Sequence, residues 1–301
     1  MSRPGAECAV VPRAGAGALR ARLSDGRWHF QHGPIDLVIA ADGRADAIAD
    51  AIDCAWRRFG EVLPELVAEL ALLRRPVTAE CPLAGPIARR MHRVCAALLP
   101  RFLTPMAAVA GSVAQEIVGF FDRSGIDRAY VNNGGDIALH LTPAHSYTIG
   151  IADVAAPERG CDGTVRIAHG ARWRGVATSG WRGRSFSLGI ADRVTVIATD
   201  AAAADAAATV IANAVDVDDA AIRRAPADSL KDDTDLGSLP VTVAVPPLAP
   251  ALVERALAAG AAEAEALAGS GLIAAAAVSV QGRWRLVGVE SLHNHLIEEA
   301  A

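Results

Sequence analysis

The residues best suited to chemistry begin with a polar run between two β-type segments, Asn132-Asn133-Gly134-Gly135-Asp136. Two successive glycines accept positive φ and expose neighbouring backbone N–H groups, which can cradle an anion. Asp136 would then accept a hydrogen bond from a ribose hydroxyl, an adenine amine or a loop amide. The same run is typical of a type I′ hairpin turn, so the pattern leaves both a turn and a ligand site open.

A second polar turn directly follows another β-type segment. Thr178, Ser179 and Gly180 place two hydroxyls and a glycine at a strand end, where they can bond phosphate oxygens or form an ordinary turn. Arg182 and Arg184 come next, and their guanidinium groups could face a phosphate. By itself this segment does not separate a binding site from a turn.

A third group lies on an alanine-rich stretch, predicted to be a helix from Ala201 to about Val215. Asp205, Thr209 and Asn213 are spaced four apart, so their oxygen-bearing side chains share one helix face. A carboxylate and a hydroxyl one turn apart are hard oxygen ligands suited to Mg²⁺. The alternatives are local, because Asp205 in the first turn would favour the helix dipole and Thr209 could bond the preceding turn's carbonyl.

The elements that must position these groups follow from apolar periodicity. Four helices are predicted in the first half of the chain, at residues 48–59, 63–73, 86–98 and 104–125. Short strands dominate the middle, at residues 128–132, 137–141, 147–152, 164–168, 172–178 and 194–198. The pair 164–168 and 172–178 is expected to form a hairpin, and residues 216–240 an exposed connection. The fold class is therefore α+β, with helices packed on a mostly antiparallel sheet.

The fourth predicted helix has an unusual amino end. Thr104 and Pro105 form a good N-cap and first-turn pair, and small residues follow from Met106 to Ala114. Small side chains let another backbone, or a flat ligand, come close to a helix. Both interpretations stay open: tight packing on the sheet, or ligand contact at the amino end, near Thr104 and Met106.

Composition excludes several classes of protein. The chain of 301 residues has a net charge of -5 and 4% aromatic residues, which argues against a nucleic-acid partner. Its five cysteines are scattered, so neither a disulfide framework nor a thiolate zinc site is indicated. Without a signal peptide or a long apolar stretch, we expect a cytoplasmic protein with no membrane segment. We expect residues 1–301 to form one domain with its core at about 28–289, while about 1–20 and 291–301 are peripheral.

Taken in order, the three polar clusters resemble the ApbE superfamily of FAD-binding, Mg²⁺-dependent flavin transferases. The chain is similar, more narrowly, to the UPF0280 branch of that superfamily. The segments that carry this narrower resemblance are 32–35, 104–111, 187–192 and 208–215. The resemblance extends over about residues 28–289 and implies a T-fold-related architecture.

The resemblance also implies roles for individual residues. Asp205 and Thr209 would bind Mg²⁺ together with the backbone carbonyl of Ala110. A dinucleotide such as FAD, or FMN, would contact two turns and the small-residue segment, through Thr104, Met106, Asn133, Gly134, Gly135, Asp136, Thr178, Ser179 and Gly180.

Two departures from the family pattern bear on the reaction. The transferases carry a His-Ile-Ile-Asp-Pro segment whose histidine is thought to be the general base, but residues 187–192 are shortened here and contain no histidine. Gly111 also stands where the transferases usually have a lysine. Because general-base help is worth roughly 10²–10⁴-fold in rate, ordinary flavin transfer is hard to reconcile with this sequence. Asp192 is the substitute base that we consider, although no sequence pattern supports it.

The leading hypothesis is an ApbE-like protein with a pocket for FAD, FMN or another nucleotide and a Mg²⁺ site, but with diverged chemistry. One alternative is a Mg²⁺-dependent transferase that moves FMN from FAD to a Thr or Ser of an acceptor protein. The other is a non-catalytic accessory protein in sulfur metabolism or pterin-linked one-carbon metabolism.

Overall fold

The architecture is a nine-stranded sheet with helices on one face and a small sheet on the other. The computed structural model describes residues 17–152, 161–288 and 297–298, so the predicted peripheral ends lie largely outside the described residues. The main sheet has the order β1-β2-β3-β4-β5-β8-β9-β12-β13, and all of its pairings are antiparallel. Its strands are β1 Leu19–Arg22, β2 Trp28–His32, β3 Ile35–Gly43, β4 Ile126–Asn133, β5 Asp136–Leu141, β8 Gly175–Ser179, β9 Arg193–Ala198, β12 Ile273–Val280 and β13 Arg283–Val287.

Two smaller sheets complete the strands. The three-stranded sheet contains β6 Ser146–Ala152, β7 Cys161–Ala168 and β14 Ile297–Glu298. It packs against the main sheet's second face through an apolar cluster that includes Val165, Val176 and Ile197. A two-stranded sheet pairs β10 Arg223–Pro226 with β11 Pro240–Ala244.

The helices cover the first face of the main sheet and form the larger core. They are α1 Ala45–Ala68, α2 Leu70–Leu73, α3 Pro86–Ala96, α4 Val109–Val118, α5 Ala201–Ala214, α6 Ala227–Leu230 and α7 Pro250–Gly269, with 3₁₀ turns at Pro105–Ala108 and Gly119–Phe121. Helices α4 and α5 pack on each other and on the central strands. None of the helices in the described part of the chain is long and apolar enough to cross a membrane.

The predicted α+β class and mostly antiparallel sheet are confirmed, and the first two predicted helices need correction. Helix α1 runs through Pro64 as one helix and ends at Ala68. Its buried stripe continues through Phe59, Val62 and Leu66, whereas Val67 is 54% exposed. Adjacent helical residues are about 100° apart, so Val67 cannot share the face that buries Leu66.

Two expectations about strand pairing are wrong. Strand β7 pairs with β6, whereas β8 enters the main sheet between β5 and β9, so residues 164–168 and 172–178 form no hairpin. The segment 216–240 is not only a connection, since β10 lies within it and pairs with β11. Both errors concern which strands pair, and that depends on contacts between residues far apart in the chain.

Candidate functional site

The Gly-Gly turn is a two-residue hairpin between β4 and β5. Asn133 pairs with Asp136 across it, and Gly134 and Gly135 have φ of 66° and 113°. The Asn132 Oδ1 atom accepts a hydrogen bond from the Gly135 amide at 2.8 Å. The hairpin interpretation is therefore confirmed. The turn also projects Asn133 and Asp136 toward α4 and α5, because Val131 and Ala138, two residues away on each strand, lie in the helix-side core.

Asp136 is buried, with 7% of its surface exposed. Its Oδ1 atom accepts a hydrogen bond from the Thr178 backbone amide at 3.1 Å, so its partner within the protein is an amide of strand β8 and not of a loop. Burial raises the pKa of Asp136 to about 7, and the Thr178 amide offsets only part of that effect. Asp136 therefore holds a proton more readily than an ordinary aspartate.

Asp205 stands beside Asp136 on the neighbouring helix α5. Its Oδ2 atom accepts a hydrogen bond from the Gly111 amide at 2.9 Å, near the amino end of α4. Burial raises the pKa of Asp205 well above its ordinary value, and the negative charge of Asp136 raises it further. The first-turn interpretation of Asp205 is wrong, because α5 begins at Ala201 and Asp200 caps it by accepting from the Ala203 amide at 2.8 Å.

The predicted carbonyl of Ala110 lies at the same place. It accepts a hydrogen bond from the Asn133 side-chain amide at 3.1 Å. We call Asn133, Asp136, Ala110, Gly111 and Asp205 the acidic cluster. It joins the β4–β5 turn to α4 and α5, and the two carboxylates give it a like-charge pair.

Gly111 is required for this arrangement. A Cβ atom at this position would lie 2.2 Å from the carbonyl oxygen of Ala201 and 2.9 Å from the Cβ of Asp205. Helices α4 and α5 therefore meet backbone to backbone at Gly111. This accounts for one departure from the transferase pattern, because a lysine at position 111 would separate the two helices.

The other two polar side chains predicted on this face of α5 lie in different places, Thr209 near the acidic cluster and Asn213 beside a loop. Thr209 lies one turn beyond Asp205 on the same helix face and is partly exposed. Asn213, a further turn along, accepts hydrogen bonds from the Leu188 amide at 2.9 Å and the Ser187 hydroxyl at 3.3 Å. Its oxygen thus positions the shortened segment 187–192 against the end of α5.

The Thr178 hydroxyl lies on the far side of the main sheet from the acidic cluster. Its Oγ1 atom is 3.0 Å from the Oγ1 atom of Thr195 on β9. Ala177 belongs to the helix-side core, so strand alternation directs Thr178 to the opposite face and Ser179 back to the helix side. Thr178 reaches the cluster through its backbone amide instead. Gly180 then packs on the loop, since a Cβ there would lie 2.5 Å from the Asp192 carbonyl oxygen.

Thr104 and Met106 lie at the 3₁₀ turn that precedes α4. Thr104 occupies the predicted N-cap position before Pro105, but its hydroxyl donates to the Asp235 carboxylate and makes no capping hydrogen bond. Asp235 comes from the segment expected to be an exposed connection. Met106 is partly buried against the helix-side core.

The Asp192 carboxylate holds two loops together. It accepts hydrogen bonds from the Trp181 indole at 3.3 Å, from the Arg182 guanidinium at 2.8 Å and from the Gln281 amide. These donors tie the loop after β8 to the β12–β13 turn. They do not include any member of the acidic cluster.

Arg184 is the cationic group that the structure brings to the Gly-Gly turn. Its Nη1 atom lies 3.0 Å from the position that a Cβ on Gly134 would occupy. Its Nη2 atom donates to the Pro34 carbonyl at 3.3 Å. The sequence treats Arg182 and Arg184 as equivalent, but the structure separates them, because Arg182 forms an ion pair with Asp192.

The cluster offers oxygen ligands of the kind that Mg²⁺ prefers: two carboxylates, a backbone carbonyl and the nearby Thr209 hydroxyl. Within residues 17–152 and 161–288 there is no group of three or more His, Cys, Asp or Glu side chains arranged to hold a metal ion. The donor set can therefore supply part of a Mg²⁺ coordination shell.

Comparison with known proteins identifies similar chains. A family model described as AbpE bacteria matches residues 20–286. A UPF0280 protein of Methanothrix thermoacetophila is 37% identical over 140 residues, which are 45% of this chain and 54% of that protein. A UPF0280 protein of Methanopyrus kandleri is 36% identical over 156 residues, which are 50% of this chain and 60% of that protein. The chain thus spans about half the length of the curated relatives it matches.

Among solved structures, the flavin transferase ApbE from Vibrio cholerae is 15% identical, with a TM-score of 0.47, over 93% of this chain and 100% of that chain. The ApbE protein of Thermotoga maritima is 13% identical, with a TM-score of 0.42, over 91% of this chain and 98% of that chain. Both similarities are weak and say nothing about ligands.

Proposed function

The chain belongs to the AbpE bacteria family, and from that premise we propose that it binds a flavin or related nucleotide together with Mg²⁺ at the acidic cluster. Family membership and the UPF0280 relatives confirm the resemblance predicted from the motifs. The ligand-binding core of this proposal is a single domain of about residues 28–289.

The observation that carries the proposal is the pairing of Asp136 with Asp205. Asp136 is buried and Asp205 is partly buried, and the charge of Asp136 opposes ionisation of Asp205. Two like charges in such a place raise the free energy of the folded protein unless a proton or a cation compensates them. Groups with pKa values perturbed in this way concentrate at functional sites.

The donor set fits Mg²⁺. This ion typically takes one or two carboxylates from a protein, and phosphate oxygens of a nucleotide complete its coordination. Asp205, Asp136 and Thr209 would contribute side-chain oxygens. The Ala110 carbonyl accepts one hydrogen bond from Asn133, and its second lone pair is available to a cation because a carbonyl oxygen has two.

The surrounding residues would hold these ligands and the nucleotide in place. Asn133 orients the Ala110 carbonyl, and the Gly111 amide orients the Asp205 carboxylate. Arg184 would meet a phosphate at the Gly-Gly turn, where a guanidinium can bond two phosphate oxygens. Met106 and Ser179 are the proposed ligand contacts at the flanks, since the Thr104 and Thr178 hydroxyls are bonded elsewhere.

The residues near the acidic cluster do not favour ordinary flavin transfer. A bound Mg²⁺ would supply Lewis acidity to phosphate oxygens. However, the segment 187–192 packs on α5 and lacks the expected histidine, and the Asp192 carboxylate is engaged by three donors. We therefore propose nucleotide binding with diverged chemistry, whether the protein acts as an enzyme or as an accessory protein that holds a cofactor.

Titration of the full chain with FAD, FMN and ADP, with and without Mg²⁺, tests the binding proposal. We expect Mg²⁺-dependent binding that weakens roughly tenfold or more in Asp205→Asn, since a charged ligand is lost. Asp122→Asn is the matched control, because it removes an exposed carboxylate whose side chain is 85% accessible. Absence of binding by the unchanged protein, or equal affinity in Asp205→Asn, would refute the proposal.

A co-expression assay separates the two kinds of chemistry. An acceptor protein with exposed Thr and Ser residues is produced with this chain and examined for covalent flavin by in-gel fluorescence. We expect no transfer. If the acceptor became fluorescent with the unchanged protein and lost that fluorescence with Asp205→Asn, the protein would have retained transferase activity.

A further inference from the structure

A surface cavity of about 530 Å³ lies beside β1 and α1, apart from the acidic cluster. Its lining is mostly charged and includes one thiol: Arg20, Asp50, Asp53, Cys54, Trp56, Arg57 and Arg123. The lining contains three arginines and two aspartates, so its net positive charge favours negatively charged ligands.

The charges of the lining are unevenly paired. Arg20 forms an ion pair with Asp53 at 2.7 Å and also lies over the Trp56 ring, 5.6 Å from its centroid. Trp56 forms an apolar wall at this place, and its ring stacks on Phe59 inside the core. The two remaining arginines, Arg57 and Arg123, interact with the thiol of Cys54.

Cys54 has the surroundings of a reactive thiol. Arg57, one turn further along α1, donates from Nη2 to the Cys54 Sγ atom at 3.2 Å. The hydrogen bond from Arg57 lowers the pKa of Cys54, and Arg123 adds to the effect. Guanidinium groups stabilise the thiolate, which is the nucleophilic form of cysteine.

The two other described free cysteines provide a contrast within the same molecule. Cys95 is buried, and burial raises its pKa, with a further contribution from the charge of Asp205. Cys81 is exposed, and its Sγ atom lies 3.9 Å from the Leu83 carbonyl oxygen. Of these three, Cys54 alone combines access to solvent with a hydrogen bond from a guanidinium.

We propose that Cys54 is a thiol–disulfide exchange site for small disulfides that carry carboxylate groups. The Cys54 thiolate attacks one sulfur of the disulfide, a new S–S bond forms and the old S–S bond breaks. The departing thiolate takes up the proton that Cys54 released, so atoms and electrons balance. Arg57 and Arg123 favour the thiolate and attract the carboxylates, and the product is a mixed disulfide at Cys54.

The test uses the full chain and three aliphatic disulfides: oxidised glutathione (anionic), hydroxyethyl disulfide (neutral) and cystamine (cationic). Peptide mass spectrometry follows the modification of Cys54 and Cys81 separately at pH 7. We expect Cys54 to react with oxidised glutathione roughly tenfold faster than Cys81, since Arg57 and Arg123 stabilise the Cys54 thiolate. The preference for oxidised glutathione over cystamine should shrink at high salt.

Substitutions then test the role of the arginines. Arg57→Gln should slow the reaction of Cys54 roughly threefold to tenfold and weaken its preference for the anionic disulfide, whereas Arg57→Lys should retain that preference. Arg89→Gln, on the exposed face of α3, is the matched control. Equal rates at Cys54 and Cys81, or a faster reaction with cystamine, would overturn the proposal. Circular dichroism checks that each variant is folded.

Discussion

Helix α4 has a charge cluster at each end, and the two clusters handle charge in opposite ways. Near its carboxyl end, Glu116 lies between Arg58 and Arg90, at 2.9 Å from each, and Arg58 also pairs with Glu65 at 2.7 Å. Near its amino end, the acidic cluster holds two carboxylates. No cationic side chain contributes to the pKa shifts of Asp136 and Asp205.

The pKa values of the two clusters shift in opposite directions. Burial by itself raises the pKa of Glu116, but hydrogen bonds from Arg58 and Arg90 outweigh it, and the net pKa is lowered. In the acidic cluster burial dominates, and the pKa values of Asp136 and Asp205 are raised. A paired cluster stabilises the fold, whereas an unpaired cluster is stabilised by what it binds.

Glu116→Gln should have the largest effect on stability. It leaves two largely buried guanidinium groups without their shared anion, which we expect to lower the free energy of unfolding by roughly 2–4 kcal/mol, slightly less than for a fully buried pair. Denaturant unfolding measures this change. Glu61→Gln is the control, since its side chain is 74% exposed and 3.6 Å from Arg58, and it should cost less than about 0.5 kcal/mol. Similar losses in both variants would contradict the comparison.

Asp136→Asn should raise the free energy of unfolding of the metal-free protein, whereas Glu116→Gln should lower it. The folded-state pKa of Asp136, about 7, exceeds its ordinary value of 3.8, so ionisation opposes folding, and the stability that protonation provides is lost as pH rises from about 4 to about 7. Asparagine cannot ionise but can still accept from the Thr178 amide. Unfolding free energies measured across this pH range should therefore favour the variant increasingly toward neutral pH. A variant that is less stable at pH 7 than at pH 4, relative to the unchanged protein, would contradict this expectation.

Arg184→Gln should have the smallest effect on stability and a selective effect on binding. Its exposed guanidinium is expected to contribute to phosphate binding alone, so affinity for FAD or ADP should fall roughly tenfold. The free energy of unfolding should change by less than about 0.5 kcal/mol. Arg182→Gln is the matched comparison, because Arg182 pairs with Asp192 and should leave nucleotide affinity unchanged. If both substitutions weaken binding equally, the loop contributes only through its net charge.

Local signals account for the elements that sequence predicts well. The Gly134-Gly135 pair predicts the β4–β5 hairpin, in which both glycines have positive φ. The alanine-rich stretch after Asp200 predicts α5 nearly to its end at Ala214. In each case the residues that form the element also carry its signal.

Sequence spacing does not determine which strands pair or which way a polar side chain points. Strand β8 pairs with β5 and β9 rather than with β7, and that choice depends on distant partners. The three polar clusters can be found from the sequence, but the proximity of Asp136 to Asp205 cannot, because 59 residues separate the end of β5 from the start of α5. The burial of Ala177 directs the Thr178 hydroxyl away from the cluster, and that burial is known only once the sheet is assembled.

The contact between α4 and α5 at Gly111 limits how this protein can be converted into one of the transferases that it resembles. The resemblance implies a lysine at the corresponding position of those proteins, and here any side chain would meet the Ala201 carbonyl oxygen 2.2 Å from its Cβ. Grafting that lysine would push α5 outward and carry Asp205 with it. A designer who introduces that lysine would therefore have to change a helix crossing together with a side chain.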